Sequence, residues 1–321
     1  MSTVIDKIKG TSIRSLLMVK LPRYLYRKSQ IISWMIFGKL PKSYAWKGQW
    51  YAYEKIKNRY LRQTYDINSL FPELNPCIDK KNIWIYWNSG FHNAPDLVKK
   101  CHKQLIENIP IGYKLHFITE SNVSDYVIMP DFIKKKLSQG IMTQTQFSDI
   151  LRTALLYRYG GIWMDATCFL SQPIPNKVLN AQLFMFQANK LPLTETYPPI
   201  KCSSWFIATN ETENYLLSRV LQVVLYYWQT NNHLIHYYLY HIALSALVDV
   251  DEKCKDIWSN VPYVCNMNPH VLWFEFFEDY TPTRWDNAVE SCFVHKLSYK
   301  FKAEALSCKK ENLIQHFMKE Y

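Results

Sequence analysis

Three charged side chains in the stretch SDILRTALLYRYGGIWMDAT, residues 148–167, are spaced for chemistry: Asp149, Arg152 and Asp165. Asp149 and Arg152 lie three positions apart and therefore share one face of a helix. Alone such a pair is an ordinary surface ion pair, but the motif that follows it argues for a ligand role. Leu151, Ala154, Leu155 and Tyr159 can form the buried stripe of this helix, and Gly160-Gly161 supplies the left-handed residues that end it. Ile162-Trp163-Met164 then reads as a short buried strand that delivers Asp165-Ala166-Thr167 to its carboxyl end. Ligands of open α/β sheets bind outside the carboxyl ends of strands. Asp165 is accordingly the candidate catalytic acid.

The elements that must position these residues alternate in type. KNIWIYWNSG (81–90) reads as a buried strand ending in a polar turn, 96–108 as a helix, and KLHFIT (114–119) as a second strand. A strand–helix–strand order implies a parallel, right-handed unit. Further strands are expected at 183–187 and 204–208, helices at 214–228 and 234–248, a final strand or loop at 292–300 and a closing helix over 303–319. The fold class is α/β with a mostly parallel central sheet. FPELNP (71–76) is turn-rich and marks a boundary, dividing a basic, mostly helical segment, 1–76, from a main domain, 77–321.

The chain has 321 residues, 48% of them hydrophobic, which suffices for a full core. Its eight cysteines are scattered without a CxxC pair, which favours reduced thiols over zinc or a disulfide framework. The net charge is +11 and it is unevenly placed: residues 1–80 hold 15 Lys and Arg against five acids. The basic segment is interleaved with aromatic and aliphatic residues. No apolar run in it reaches the ~18–20 residues of a spanning helix. It reads either as an amphipathic stretch on an anionic membrane surface or as a helical lead-in packed on the main domain. Nucleic acid is not an expected partner, because no recognition motif accompanies the charge.

The combination of KNIWIYWNSGFHNAPDLVKKC, SDILRTALLYRYGGIWMDAT, CSSWFIAT and FVHKLSYK resembles the bacterial capsular polysaccharide synthesis proteins. These are similar to the glycosyltransferases of family 32, which carry a DXD sugar-binding region, and more distantly to the clostridial toxin glucosyltransferases. The resemblance spans roughly residues 80–300. It implies a GT-A-like fold and transfer of a sugar from a nucleotide sugar, a UDP-sugar foremost, to a capsular or other cell-surface glycan, with a lipid-linked acceptor. It also implies a cytoplasmic protein, peripheral at the inner face of the cell membrane, and retention of anomeric configuration. A catalytically silent binding module with the same fold is the competing reading.

Such a transfer must stabilise a departing diphosphate, and a divalent metal (Mn2+ or Mg2+) held by oxygen ligands does so in the related enzymes. The resemblance makes Asp165 the first acid of the DXD-like motif. Asp149 and Arg152 would bind donor sugar hydroxyls, and the arginine's fork also suits a phosphate. The second acid is replaced by Thr167, a weaker ligand. Either water completes a metal sphere, or another residue such as His295 does, or the site works without metal. Trp87, at the first strand's end, would stack on the base, Ser204 and Trp205 would lie near the bound sugar, and Lys296 and Lys300 would meet phosphate oxygens. His233, His236 and His241 read as core or helix-face residues, and Glu275, Glu278 and Asp279 as a solvated patch.

Overall fold

In the computed structural model, residues 43–75, 78, 80–188 and 197–320 are described. The strands are β1 (Asn82–Tyr86), β2 (Lys114–Ile118), β3 (Gly161–Met164), β4 (Cys168–Leu170), β5 (Phe184–Gln187), β6 (Cys202–Thr209) and β7 (Val294–Lys296). The helices of eight or more residues are α1 (Ser43–Arg59), α2 (Asp96–Glu107), α3 (Asp131–Ser138), α4 (Gln144–Tyr159), α5 (Tyr215–Thr230), α6 (Leu239–Val250), α7 (Glu252–Ser259), α8 (Pro282–Glu290) and α9 (Leu313–Glu320). The central sheet has the order β2-β1-β3-β6-β5. β1 pairs in parallel with β2 and β3, while β6 is antiparallel to both β3 and β5. One strand, β6, thus runs against the other four, and the sheet is mixed and mostly parallel. β4 and β7 form a separate antiparallel ribbon.

Both faces of the sheet are buried, and the period-2 alternation of its strands sorts side chains between two cores. Trp84, Tyr86, Trp163, Met185 and Ile207 face one cluster, built mainly with α1, α4, α5 and α6. Ile83, Ile85, Ile162, Met164, Phe184, Phe186, Phe206 and Ala208 face the other, which α2 helps to cover. Because α4 lies within the larger cluster, it is buried nearly all round instead of along a single stripe; Ile150, Leu151, Ala154, Leu155 and Leu156 are fully enclosed.

Described residues on both sides of the boundary expected at 76/77 share the larger core cluster. Ala52, Tyr53 and Ile56 of α1 are fully buried in the larger cluster. Tyr53 Oη donates to Asp249 at 2.7 Å and Trp50 Nε1 to the Tyr197 carbonyl at 2.8 Å. The physical reason is the apolar face of α1, which needs a partner and finds it on α6. The more basic part of the N-terminal segment, residues 1–42, lies outside the described residues. Among the described residues no helix is long and apolar enough to cross a membrane.

The strand that leads into Asp165 begins at a constrained point. The Thr143 N–H donates to Gln146 Oε1 at 3.2 Å at the start of α4, and Gly160 ends the helix with φ +64°. Gly161 follows at φ +90°, and a Cβ there would come within 2.4 Å of the Asn82 carbonyl oxygen. Neither the left-handed angle nor the contact with β1 tolerates a side chain. Gly161→Ala is expected to destabilise the protein by about 3 kcal/mol or more, checked by the urea midpoint against wild type. A loss under about 1 kcal/mol would show that this approach of β3 to β1 is not needed.

Candidate functional site

The helix-then-strand order of α4 and β3 brings Arg152 under the end of β3, where its guanidinium is almost wholly enclosed. Nη2 lies 3.4 Å from Asp165 Oδ1 and Nη1 lies 3.4 Å from Asp149 Oδ1. Nη1 also donates to the Ser204 carbonyl (2.5 Å) and Oγ (2.7 Å), and Nε to the Ser148 carbonyl (3.1 Å). Nη2 donates to Ser148 Oγ (2.9 Å), and the cation lies 5.1 Å from the Trp163 ring centroid. A buried cation survives only if its donors are satisfied, and this one is bound from every side.

Asp165 is held from a second direction. Its Oδ2 is 3.0 Å from Lys296 Nζ, and Trp163 Nε1 donates to Oδ1 at 3.0 Å. Lys296 Nζ also donates to Thr167 Oγ1 at 2.5 Å. The backbone fixes this approach: the Leu297 N–H donates to the Thr167 carbonyl at 3.0 Å, and Cys168 of β4 is in register with Lys296 of β7. Burial raises the Asp165 carboxyl, but Lys296 and then Arg152 outweigh it and hold the group below the usual carboxylate range. The two cations favour its ionised form. Asp149 differs, because its burial pushes it up to about 6 against the opposing pull of Arg152.

Above this floor opens a cavity of about 570 Å³. Tyr86, Trp87 and Asn88 form one wall, with Gln144 and Ser148 of the α4 region beside them. Tyr237, His270, Trp273 and Tyr299 bound the rest. Trp87 packs edge-on against Tyr299, with centroids 5.5 Å apart. Of the residues expected at a site, Trp87, Arg152, Asp165, Thr167, Lys296 and Lys300 line this cavity, while Asp149 touches it through Arg152.

Three of the expected residues lie off the lining of this cavity. Ser204 serves as a bracket beneath Arg152 and does not line the cavity. Trp205, next to it on β6 where the β5–β6 register shifts, stacks on Phe186 at 4.8 Å in the second core. His295 is fully buried, pairs with Phe169 across the β4–β7 ribbon and lies 2.8 Å from Ser171 Oγ. Alternation on β7 sends it away from the cavity that Lys296 enters. Tyr237, His270 and Tyr299 were not anticipated. They come from three separate segments, and no motif in the sequence groups them.

Residues 36–317 match the family described as capsular polysaccharide synthesis protein. The chain belongs to that family. It is also similar to an O-glycosyltransferase of Annulohypoxylon truncatum, with 29% identity over 104 residues, 30% of this chain and 25% of that one. An O-glycosyltransferase of Phomopsis amygdali is 25% identical over 122 residues, 34% of this chain and 29% of its own. This chain therefore spans less than a third of the length of either relative. A solved structure, the PaToxG glycosyltransferase, superposes with a TM-score of 0.38 at 15% identity, covering 76% of this chain and 95% of that one.

The metal expectation can be tested against the donors that the cavity offers. A divalent cation of this kind takes several oxygen ligands, with carboxylates foremost. Asp165 is the sole acid in the cavity lining, and both its oxygens are engaged by cations or by the Trp163 indole. Thr167 donates no charge, and His295 is elsewhere. Among the described residues no group of three His, Cys, Asp or Glu is placed to hold a metal ion. Among the described residues, the side chains of this cavity offer a divalent ion one carboxylate and no second one.

Two outcomes follow from this geometry. Arg152→Met leaves Asp149 and Asp165 without their buried partner and is expected to cost about 3–5 kcal/mol, read from thermal or urea unfolding. Arg152→Lys should recover only part of that, since a single ammonium cannot serve the partners of a planar fork. His295, with its pKa lowered to about 4 by burial, stays neutral when folded but charges near 6.5 when unfolded. Its contribution is full above about pH 6.5 and falls as pH drops, with about 3 kcal/mol lost by pH 4. His295→Gln should flatten the pH dependence of the urea midpoint over that window; an unchanged slope would mean His295 does not carry it.

Proposed function

We propose that this protein is a glycosyltransferase that moves a sugar from a nucleotide-sugar donor to a glycan acceptor. The observation that carries the reading is the floor of the cavity. A single carboxylate, Asp165, is kept ionised there between Arg152 and Lys296 at the end of β3, beneath an aromatic wall. The kinship with O-glycosyltransferases supports the same class of reaction. The finer features we propose with it are a GT-A-like role for this domain, a UDP-sugar as the donor and a surface polysaccharide, lipid-linked, as the acceptor. A cytoplasmic position at the inner face of the membrane, aided by the basic residues of the N-terminal segment, belongs to the same reading.

In this reading the base lies against Trp87, with the rings of Trp87 and Tyr299 forming a corner for it. The diphosphate meets Lys296 and Lys300, whose ammonium groups offer charge-assisted hydrogen bonds. Asp165 accepts from donor hydroxyls, which orients the sugar so that its anomeric carbon faces the acceptor. Held below the ordinary carboxylate range, Asp165 suits anchoring and electrostatic stabilisation of a cation-like centre better than proton abstraction. The cavity lining contains no second carboxylate to serve as a covalent nucleophile. We therefore favour retention by front-face attack, in which the acceptor hydroxyl passes its proton to the departing phosphate oxygen. The opposite wall, with Tyr237, His270 and Trp273, is left for the acceptor.

A panel of nucleotide sugars assayed for hydrolysis or transfer tests this reading. One or more should turn over, and Asp165→Asn should lower kcat by about a hundredfold or more, while Trp87→Ala should act mainly on KM. No turnover across the panel, together with no nucleotide binding by calorimetry, would sink the enzyme reading.

A further inference from the structure

The relation between Lys296 and the two residues of the DXD-like motif goes beyond the general reading of a transferase. Nζ of Lys296 stands between the motif's first residue, Asp165 (3.0 Å), and its third, Thr167 (2.5 Å). This is the place where a cation would bridge two oxygen ligands. We propose that the Lys296 ammonium is the resident cation of this site, taking the place of a divalent metal, and that the protein binds the diphosphate of its donor without metal. This rests on the reading above that the cavity takes a nucleotide sugar.

Several independent features support it. The lysine is presented by an antiparallel ribbon, with Cys168 facing Lys296 and the Leu297 N–H bonded to the Thr167 carbonyl, so its stem cannot drift from the motif. An ammonium has three protons; two go to Asp165 and Thr167, and among the described residues no acceptor takes the third. The side chain is 21% exposed, so that proton can be offered to the cavity. The charge of the lining has the right sign, with Arg152, Lys296 and Lys300 set against Asp165 alone. That balance attracts a diphosphate and repels a second cation. The replacement of the second acid by Thr167 fits as well. A monovalent ammonium needs one carboxylate for neutrality where a divalent ion calls for two, and the hydroxyl accepts its hydrogen bond without adding charge.

Two measurements on the full chain test this. Inorganic pyrophosphate is titrated calorimetrically in EDTA into wild type, Lys296→Met and Lys296→Arg. Separately, Mn2+ alone is titrated into wild type and Asp165→Asn and followed by its electron paramagnetic resonance signal. Wild type should bind pyrophosphate in EDTA. Lys296→Met should weaken binding by about tenfold or more, the size of one charge-assisted hydrogen bond, and Lys296→Arg should restore most of it. The Mn2+ signal should be the same with wild type as with Asp165→Asn. The proposal is overturned if wild type sequesters Mn2+ in a way that Asp165→Asn abolishes, if pyrophosphate does not bind in EDTA, or if Lys296→Met binds it as wild type does. Should Lys296→Met not fold, the two wild-type measurements decide by themselves. Turnover that vanishes in EDTA would overturn this proposal and leave the transferase reading standing. Metal-free pyrophosphate binding without turnover would do the reverse.

Discussion

The buried guanidinium of Arg152 is the interaction on which the arrangement of this cavity depends. A cation with 4% side-chain exposure is costly unless its donors are spoken for. Satisfying it draws together the α4 backbone at Ser148, the β6 backbone at Ser204, the Asp149 carboxylate and the Asp165 carboxylate. β6 and the end of β3 are thereby fixed to one planar group carried by α4. Asp165 in turn has one oxygen turned to Arg152 and Trp163 and the other to Lys296, so its orientation is set before any ligand arrives.

The same constraint explains the glycines. For Asp165 to meet a residue of the preceding helix, the chain must leave α4 and enter β3 with almost no intervening loop. Gly160 and Gly161, both with positive φ, make that reversal. Gly161 also lets β3 come against β1 at a distance no Cβ allows. Backbone freedom at one point thus gives side-chain rigidity a few residues later, and the floor of the cavity is rigid because the turn before it is tight.

Much of the floor was legible in the sequence because it is local. Helix, double glycine, short strand and acid follow one another within residues 148–167, and periodicity alone places Asp149 with Arg152 and Asp165 at a strand end. Legibility fell off where strand faces mattered. His295 and Lys296 are neighbours that alternation turns to opposite faces, whereas Ser204 and Trp205 are neighbours where the β5–β6 register shifts and simple alternation fails. Only one of the first pair can serve the same space, and which one depends on where the sheet lies. The helix over 303–319 was similarly half right: the ordered helix is α9, Leu313–Glu320, preceded by a short turn of 3-10 helix and a loop. The extra helices α3, α7 and α8 are only eight or nine residues long, and the sequence reading did not place them.

The sequence by itself determined the mixed α/β character, the helix–glycine–strand unit and the identity of the acid that ends it, because each follows from period, capping and turn chemistry over a few residues. Tertiary structure alone decided what that acid meets. Lys296 lies 131 positions from Asp165, and only the β4–β7 register brings its ammonium to the motif while turning His295 away. Contacts of such separation leave no periodic trace in the chain, since they depend on how the elements pack and not on their local order. Thr167, two residues after the acid, is visible in the sequence; the ammonium that it shares with Asp165 is visible only in the fold.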